Sequence, residues 1–109
     1  MELSFSTSEM RDVCELRASA IEMVGREAAL ELEQRLADAE AVGCAGDLVA
    51  LHPDNTVERS AHELALHFST GHALVYRSGH VRTPTTPQGA TDWVRVTRIR
   101  IETIEVPHG

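Results

Sequence analysis

Lysine is absent from this chain: all ten of its basic residues are arginine, against 17 acidic ones, a formal charge of −7 over 109 residues. That balance argues against a simple nucleic-acid binder, because phosphate contacts draw on surplus Lys and Arg. Aromatic residues are scarce at 4%, so leucine, valine, isoleucine and alanine must fill the interior. Two cysteines, Cys14 and Cys44, are too few for a disulfide scaffold and point to a reducing compartment. No apolar run approaches the ~20 residues that cross a bilayer, and no basic-then-apolar stretch opens the chain. The expectation is a cytoplasmic protein without membrane contact. Repeats and low-complexity segments are also missing. What is present is 42% apolar residues, enough for a modest core and too many for intrinsic disorder. The length allows one domain, residues 1–109.

The charge is unevenly placed. Residues 1–63 hold 14 acids and 5 arginines, a net of −9; residues 64–109 hold 3 acids and 5 arginines, a net of +2; the two sum to −7. An acidic helical part joined to a mildly basic part is one reading. Acids lining the solvent faces of helices is the plainer one.

Periodicity orders the elements. Residues 2–6 alternate, with Leu3 and Phe5 on one side, as a short half-buried strand does. Ser6 and Glu9 have capping-box spacing, which predicts a helix from Thr7. Val13, Leu16, Ala20 and Val24 form one helical stripe, and Gly25 breaks it. Residues 26–42 are nearly all strong helix formers, with Ala28, Leu32, Leu36 and Ala39 in a second stripe and Gly43 at the C′ position. Residues 44–60 read as a connector, with Gly46, Pro53 and an Asp54-Asn55 turn. His62, Leu64, Leu66 and Phe68 then alternate as a strand, Ser69-Thr70-Gly71 supplies a tight turn, and residues 73–77 return. Residues 78–91, with Pro84, Pro87 and two glycines, read as a mobile loop. Residues 93–106 are rich in β-branched side chains and read as the longest strand. Its apolar parity changes twice, which predicts a bulge or a strong twist. The expected order is β-α-α-β-β-β.

Several strings in this order resemble the HigB-like branch of the RelE/ParE toxin superfamily. They are Leu3-Ser4-Phe5-Ser6, Arg35-Leu36-Ala37-Asp38, His62-Glu63-Leu64, Asp92-Trp93-Val94-Arg95-Val96-Thr97 and the ending Ile104-Glu105-Val106-Pro107-His108-Gly109. The resemblance spans nearly the whole chain, although each string is short. It implies an α+β, RelE-like domain, two N-terminal helices packed on a small, twisted, mostly antiparallel sheet. It also implies a toxin of a type II toxin–antitoxin pair, neutralised by a cognate antitoxin protein. HigB-like and RelE-like members cleave mRNA at the ribosome without a metal or other cofactor; ParE-like members poison DNA gyrase. Monomer and homodimer are both open.

The active centre of the HigB-like branch resembles a strand histidine in a His-x-Leu setting plus a C-terminal Asp-Tyr-His. His62 matches the first and His108 the last residue of the second, but Val106 and Pro107 stand at the Asp and Tyr positions. The basic loop that usually follows His-Glu-Leu is missing, and Leu74 stands where the family places an arginine. Scaffold strings are better kept than chemical ones.

Metal-free RNA cleavage needs a base for the 2′-hydroxyl proton, an acid for the leaving oxygen and positive charge to stabilise the phosphorane-like transition state. Histidine suits both proton roles near neutrality. His62 and His108 would fill them if the C-terminus folds back beside the strand carrying His62, with Arg77, Arg98 and Arg100 supplying the charge. Each has a plainer reading. His62 could cap or bond locally, His108 is penultimate, and the last-strand arginines could blunt a sheet edge or pair with helix acids. Six histidines raise the question of a metal. None stand at i, i+2 or i, i+4, and no Cys-x-x-Cys pair occurs, so no metal site is expected. Cys14 reads as core and Cys44 as exposed. Two functions compete: a ribosome-dependent endoribonuclease, and a non-catalytic binding module on the toxin fold that docks an antitoxin-like partner.

Overall fold

A computed structural model of the chain describes residues 1–108 and shows an α+β fold with four helices and one five-stranded mixed sheet. The order differs from the expected β-α-α-β-β-β by two extra helices and one extra strand. Strand β1 (Glu2–Phe5) leads into α1 (Ser8–Glu15), α2 (Arg17–Val24) and α3 (Arg26–Ala41). The stretch read as a connector holds α4 (Ala45–Leu51), a 3-10 turn (Pro53–Asn55) and β2 (Thr56–Ser60). Then come β3 (Glu63–Phe68), β4 (His72–Ser78), a second 3-10 turn (Trp93–Arg95) and β5 (Arg98–Glu105).

The cap of α1 is one residue later than expected. Thr7 Oγ1 accepts the Met10 amide at 3.1 Å, while the Ser6 hydroxyl is taken up donating to the Glu102 carbonyl at 2.6 Å. The first predicted helix is two, because Leu16 sits extended (φ −114°, ψ 115°) between them. Gly25 does separate α2 from α3.

The sheet order is β1-β5-β4-β3-β2, with β1 parallel to β5 and every other pair antiparallel. Alternation decides its faces. Ile99 and Ile101 turn inward and Arg98 and Arg100 outward. The inner face carries Leu64, Leu66, Phe68, Leu74 and Tyr76 against Met10, Val13, Ala20, Leu32, Leu36 and Leu48 of the helices. On the other face Ala65, Ala73 and Val75 are also buried, as a separate small cluster. The two parity changes near the end of the chain have different causes. Val94 belongs to a 3-10 turn outside the strand, closed by the Val96 amide on the Trp93 carbonyl at 3.2 Å. The second change is the predicted bulge: Tyr76 pairs with Ile101 and Val75 with Thr103, so Glu102 is left over.

Tyr76 is fully buried, with its ring edge-on to Trp93 at 5.9 Å and 80°. Burial pushes its phenol pKa upward, and its hydroxyl has no hydrogen-bond partner among the described residues. An unpaired buried hydroxyl costs about 1–3 kcal/mol. Tyr76→Phe should therefore raise stability by about 1 kcal/mol, a thermal midpoint gain of roughly 4–8 °C. A fall in the midpoint by calorimetry would mean that the hydroxyl holds a buried water.

Arg59 of β2 and Glu105 of β5 form a bidentate pair at 2.9 and 2.8 Å, across the two strands between them. The pair crosses the face on which Ala65 and Ala73 are buried, and such small side chains leave room for it. The hydrogen bond to Arg59 holds the Glu105 carboxyl below its ordinary 4.5, with the nearby His67 and His108 acting in the same direction. A lowered folded-state pKa stabilises above the unfolded value and is lost as pH falls through the folded one. The pair should contribute little, since both side chains are partly exposed and screened by solvent. Urea midpoints measured from pH 7 downward should decline below about pH 4.5, and Arg59→Ala should make that decline shallower. Equal slopes in the two proteins would remove the pair from the pH response.

Candidate functional site

Three of the five residues singled out in the sequence come together at one end of the sheet. Arg77 of β4 and Arg100 of β5 are directly paired across the strands. With His62 they line an open pocket of about 320 Å³. Ser78, His80, Thr83 and Thr91 complete its wall.

His62 does not open a strand, as its alternation suggested. It occupies the turn between β2 and β3, where the Ala61 carbonyl accepts the Thr91 amide at 2.9 Å. The same anchorage serves the ring: His62 Nδ1 lies 2.7 Å from Thr91 Oγ1, and His62 is half-buried. That contact occupies one ring nitrogen and leaves Nε2 for other chemistry. The local hydrogen bond and the functional role that competed for His62 are thus compatible, through different atoms.

Thr91 is held in turn by the segment read as a mobile loop. Thr85 and Thr91 form an antiparallel bridge, the Thr86 amide donates to Ala90 at 2.8 Å, and the Asp92 amide donates to Pro84 at 2.9 Å. These bonds make a folded finger that closes one side of the pocket. His80 stands at its base. Its ring Nε2 accepts the Thr97 amide at 3.0 Å, and its own amide donates to Ser78 Oγ at 3.2 Å.

The arginines differ in their partners. Arg100 Nε and Nη2 both donate to Glu102 Oε1, at 2.9 and 2.6 Å, between side chains two positions apart on the outer side of β5. Arg98 shares the outer face of β5 with Arg100 as expected, but it is bound to Glu2 of β1 and lies outside the pocket. Arg77 forms no ion pair among the described residues.

His108 is the main correction. The expected partner of His62 lies at the other end of the sheet, where its charge is felt by Glu105. Arg100 and Glu105 are five positions apart on β5, roughly 16 Å at ~3.3 Å per residue. Pro107 explains the placement. It lies against Gly71 in the β3–β4 turn, where φ is +82° and a Cβ would come within 2.9 Å of the Pro107 Cβ. The C-terminus thus packs beside the tip of this hairpin, away from the turn that carries His62.

The cysteines play no part here. Burial, with Glu15 adding to it, pushes the Cys14 thiol up to about 12, so it is inert near neutrality. Cys44 is half-buried rather than exposed. Among the described residues no three His, Cys, Asp or Glu side chains are grouped to hold a metal, and no helix is long and apolar enough to cross a membrane.

The sequence reading missed His80, Thr83 and Thr91. Their signal is a run of threonines and prolines that looks like any surface loop; the Thr91 amide on the Ala61 carbonyl and the Thr97 amide on the His80 ring give Thr91 and His80 their places. Searches against family models, curated proteins and solved structures found no significant match to this chain.

Proposed function

We propose that the chain is a toxin-like protein of a type II toxin–antitoxin pair, of the HigB-like kind, which cleaves mRNA at the ribosome and is neutralised by a cognate antitoxin. The observation that carries this reading is the meeting of His62, Arg77 and Arg100 in one pocket. A RelE-like arrangement, with helices packed on one face of a small sheet, is in keeping with it. In this reading His62 Nε2 takes the 2′-hydroxyl proton while Thr91 holds the ring through Nδ1. Arg77 and Arg100 then stabilise the charge that builds on the phosphate oxygens. His108 is too far away to protonate the leaving 5′-oxygen, so water must supply that proton and cleavage is slow. Such a role belongs in the cytoplasm, beside the ribosome.

The second reading is a binding module without catalysis. It is favoured by the distance of His108 from the pocket and by the carboxylates of Glu2 and Glu102, which already occupy Arg98 and Arg100. Inducible expression without a partner separates the two. Growth arrest with cuts in translated mRNA is expected, and both should disappear in His62→Ala. Normal growth, intact mRNA and tight binding to the product of a neighbouring gene would instead establish the binding module.

A further inference from the structure

We infer that the pocket is a nucleotide-phosphate site in which His80, together with Arg77, holds the phosphate. The inference rests on the reading above for the kind of ligand, and on the pocket alone for its place.

The wall is made of donors. Two arginines, two histidines and three hydroxyl side chains line it, and no carboxylate does. Arg77 and Arg100 face each other in register, where like charges repel at about 5 Å between Cβ atoms. Glu102 relieves that repulsion from the Arg100 side only. Glu63, whose charge bears on Arg59, makes no ion pair with Arg77 among the described residues. A bound phosphate anion would relieve the pair from the Arg77 side, and a guanidinium presents a fork that matches phosphate.

His80 adds a donor whose tautomer is settled by its surroundings. A backbone amide can only donate, so the Nε2 that accepts from Thr97 carries no hydrogen. The neutral ring therefore bears its proton on Nδ1, so this pocket-lining residue keeps a donor after its bond to Thr97. Gly79 sets the ring's position. Its amide donates to the Arg98 carbonyl at 2.8 Å. A Cβ there would meet Arg98 Cγ at 2.9 Å, the Ile99 carbonyl carbon at 3.1 Å and Ser4 Oγ at 3.2 Å. Only glycine lets the chain run this close over β5 before His80.

The test uses the whole protein and two single-stranded RNA pentamers of one sequence, 5′-phosphorylated or 5′-hydroxyl, followed by fluorescence anisotropy with inorganic phosphate as competitor. Binding that phosphate competes away is expected. Arg77→Gln should weaken it about tenfold or more and His80→Ala about threefold or more, while His67→Ala, on the same face at the far end, should leave it unchanged. A preference for the phosphorylated pentamer identifies a terminal phosphomonoester as the ligand; equal affinities identify an internal phosphodiester. Either supports the site. No binding, or Arg77→Gln and His80→Ala binding like the unaltered protein, overturns it. The outcomes are separable from the toxin reading: binding as described without growth arrest leaves the site and removes the nuclease, while mRNA cleavage with binding indifferent to both variants does the reverse.

Discussion

Phe68→Ala should destabilise the protein by about 3–5 kcal/mol, the usual cost of emptying an aromatic site in a packed core. Phe68 is 2% exposed, stands on the inner face of β3, and is one of only two phenylalanines in the chain. Its ring lies 5.3 Å from that of His72, its cross-strand partner, which is buried with an Nδ1 that has no hydrogen-bond partner among the described residues. Truncation would open a cavity and admit water to that nitrogen. The two effects oppose each other, and the cavity dominates, because one new hydrogen bond is worth only about 1 kcal/mol. Domains of this size are stable by about 5–15 kcal/mol in total, so the loss is a large share of what exists. Urea unfolding should show the midpoint moving down at constant m-value. A change below about 1 kcal/mol would mean that neighbouring side chains close the space.

On the proposed nuclease reading, His62→Ala should lower mRNA cleavage by about 10²–10⁴-fold, the usual contribution of a positioned general base. The side chain is half-buried in a turn between β2 and β3 and bonded to one hydroxyl, so its removal should leave the fold nearly unchanged. Thr91→Val is the companion. It keeps the shape of the finger but removes the oxygen that orients the ring, and it should lower cleavage less, by about tenfold. If cleavage persists in His62→Ala at the original rate, the histidine has only its local bond to Thr91. His108→Ala should leave the rate unchanged, since the residue packs at the other end of the sheet.

Much of the architecture was readable from period alone. Alternation at residues 62–68 and the Ser69-Thr70-Gly71 turn give the β3–β4 hairpin, and the change of parity beyond Ile101 marks the bulge at Glu102. The break between α1 and α2 was not readable, because Leu16 is a good helix former and completes the apolar stripe, yet it sits extended with its side chain largely exposed. Strand β2 was hidden for another reason. Four of its five residues are exposed, and an edge strand with little to bury has no apolar alternation to display. The site was half legible. Histidine and arginine announce their chemistry by type, so His62, Arg77 and Arg100 could be named in advance. Which of them meet depends on hydrogen bonds between residues 29 positions apart, as for His62 and Thr91, and on a proline against a glycine. Neither leaves a periodic trace.

The parallel pairing of β1 with β5 also determines when this molecule can begin to exist. Glu2 waits for Arg98 and Phe5 for Ile101, and the same strand brings Arg100 beside Arg77. Contacts of such long range are slow to form, since the closure of a long loop must come first. While the chain is being synthesised, β1 and β4 each present an unpaired edge, and the pocket lacks one of its two arginines. Strand β5, made after the other four, thus finishes the sheet and the site together, and a chain synthesised only as far as β4 carries neither.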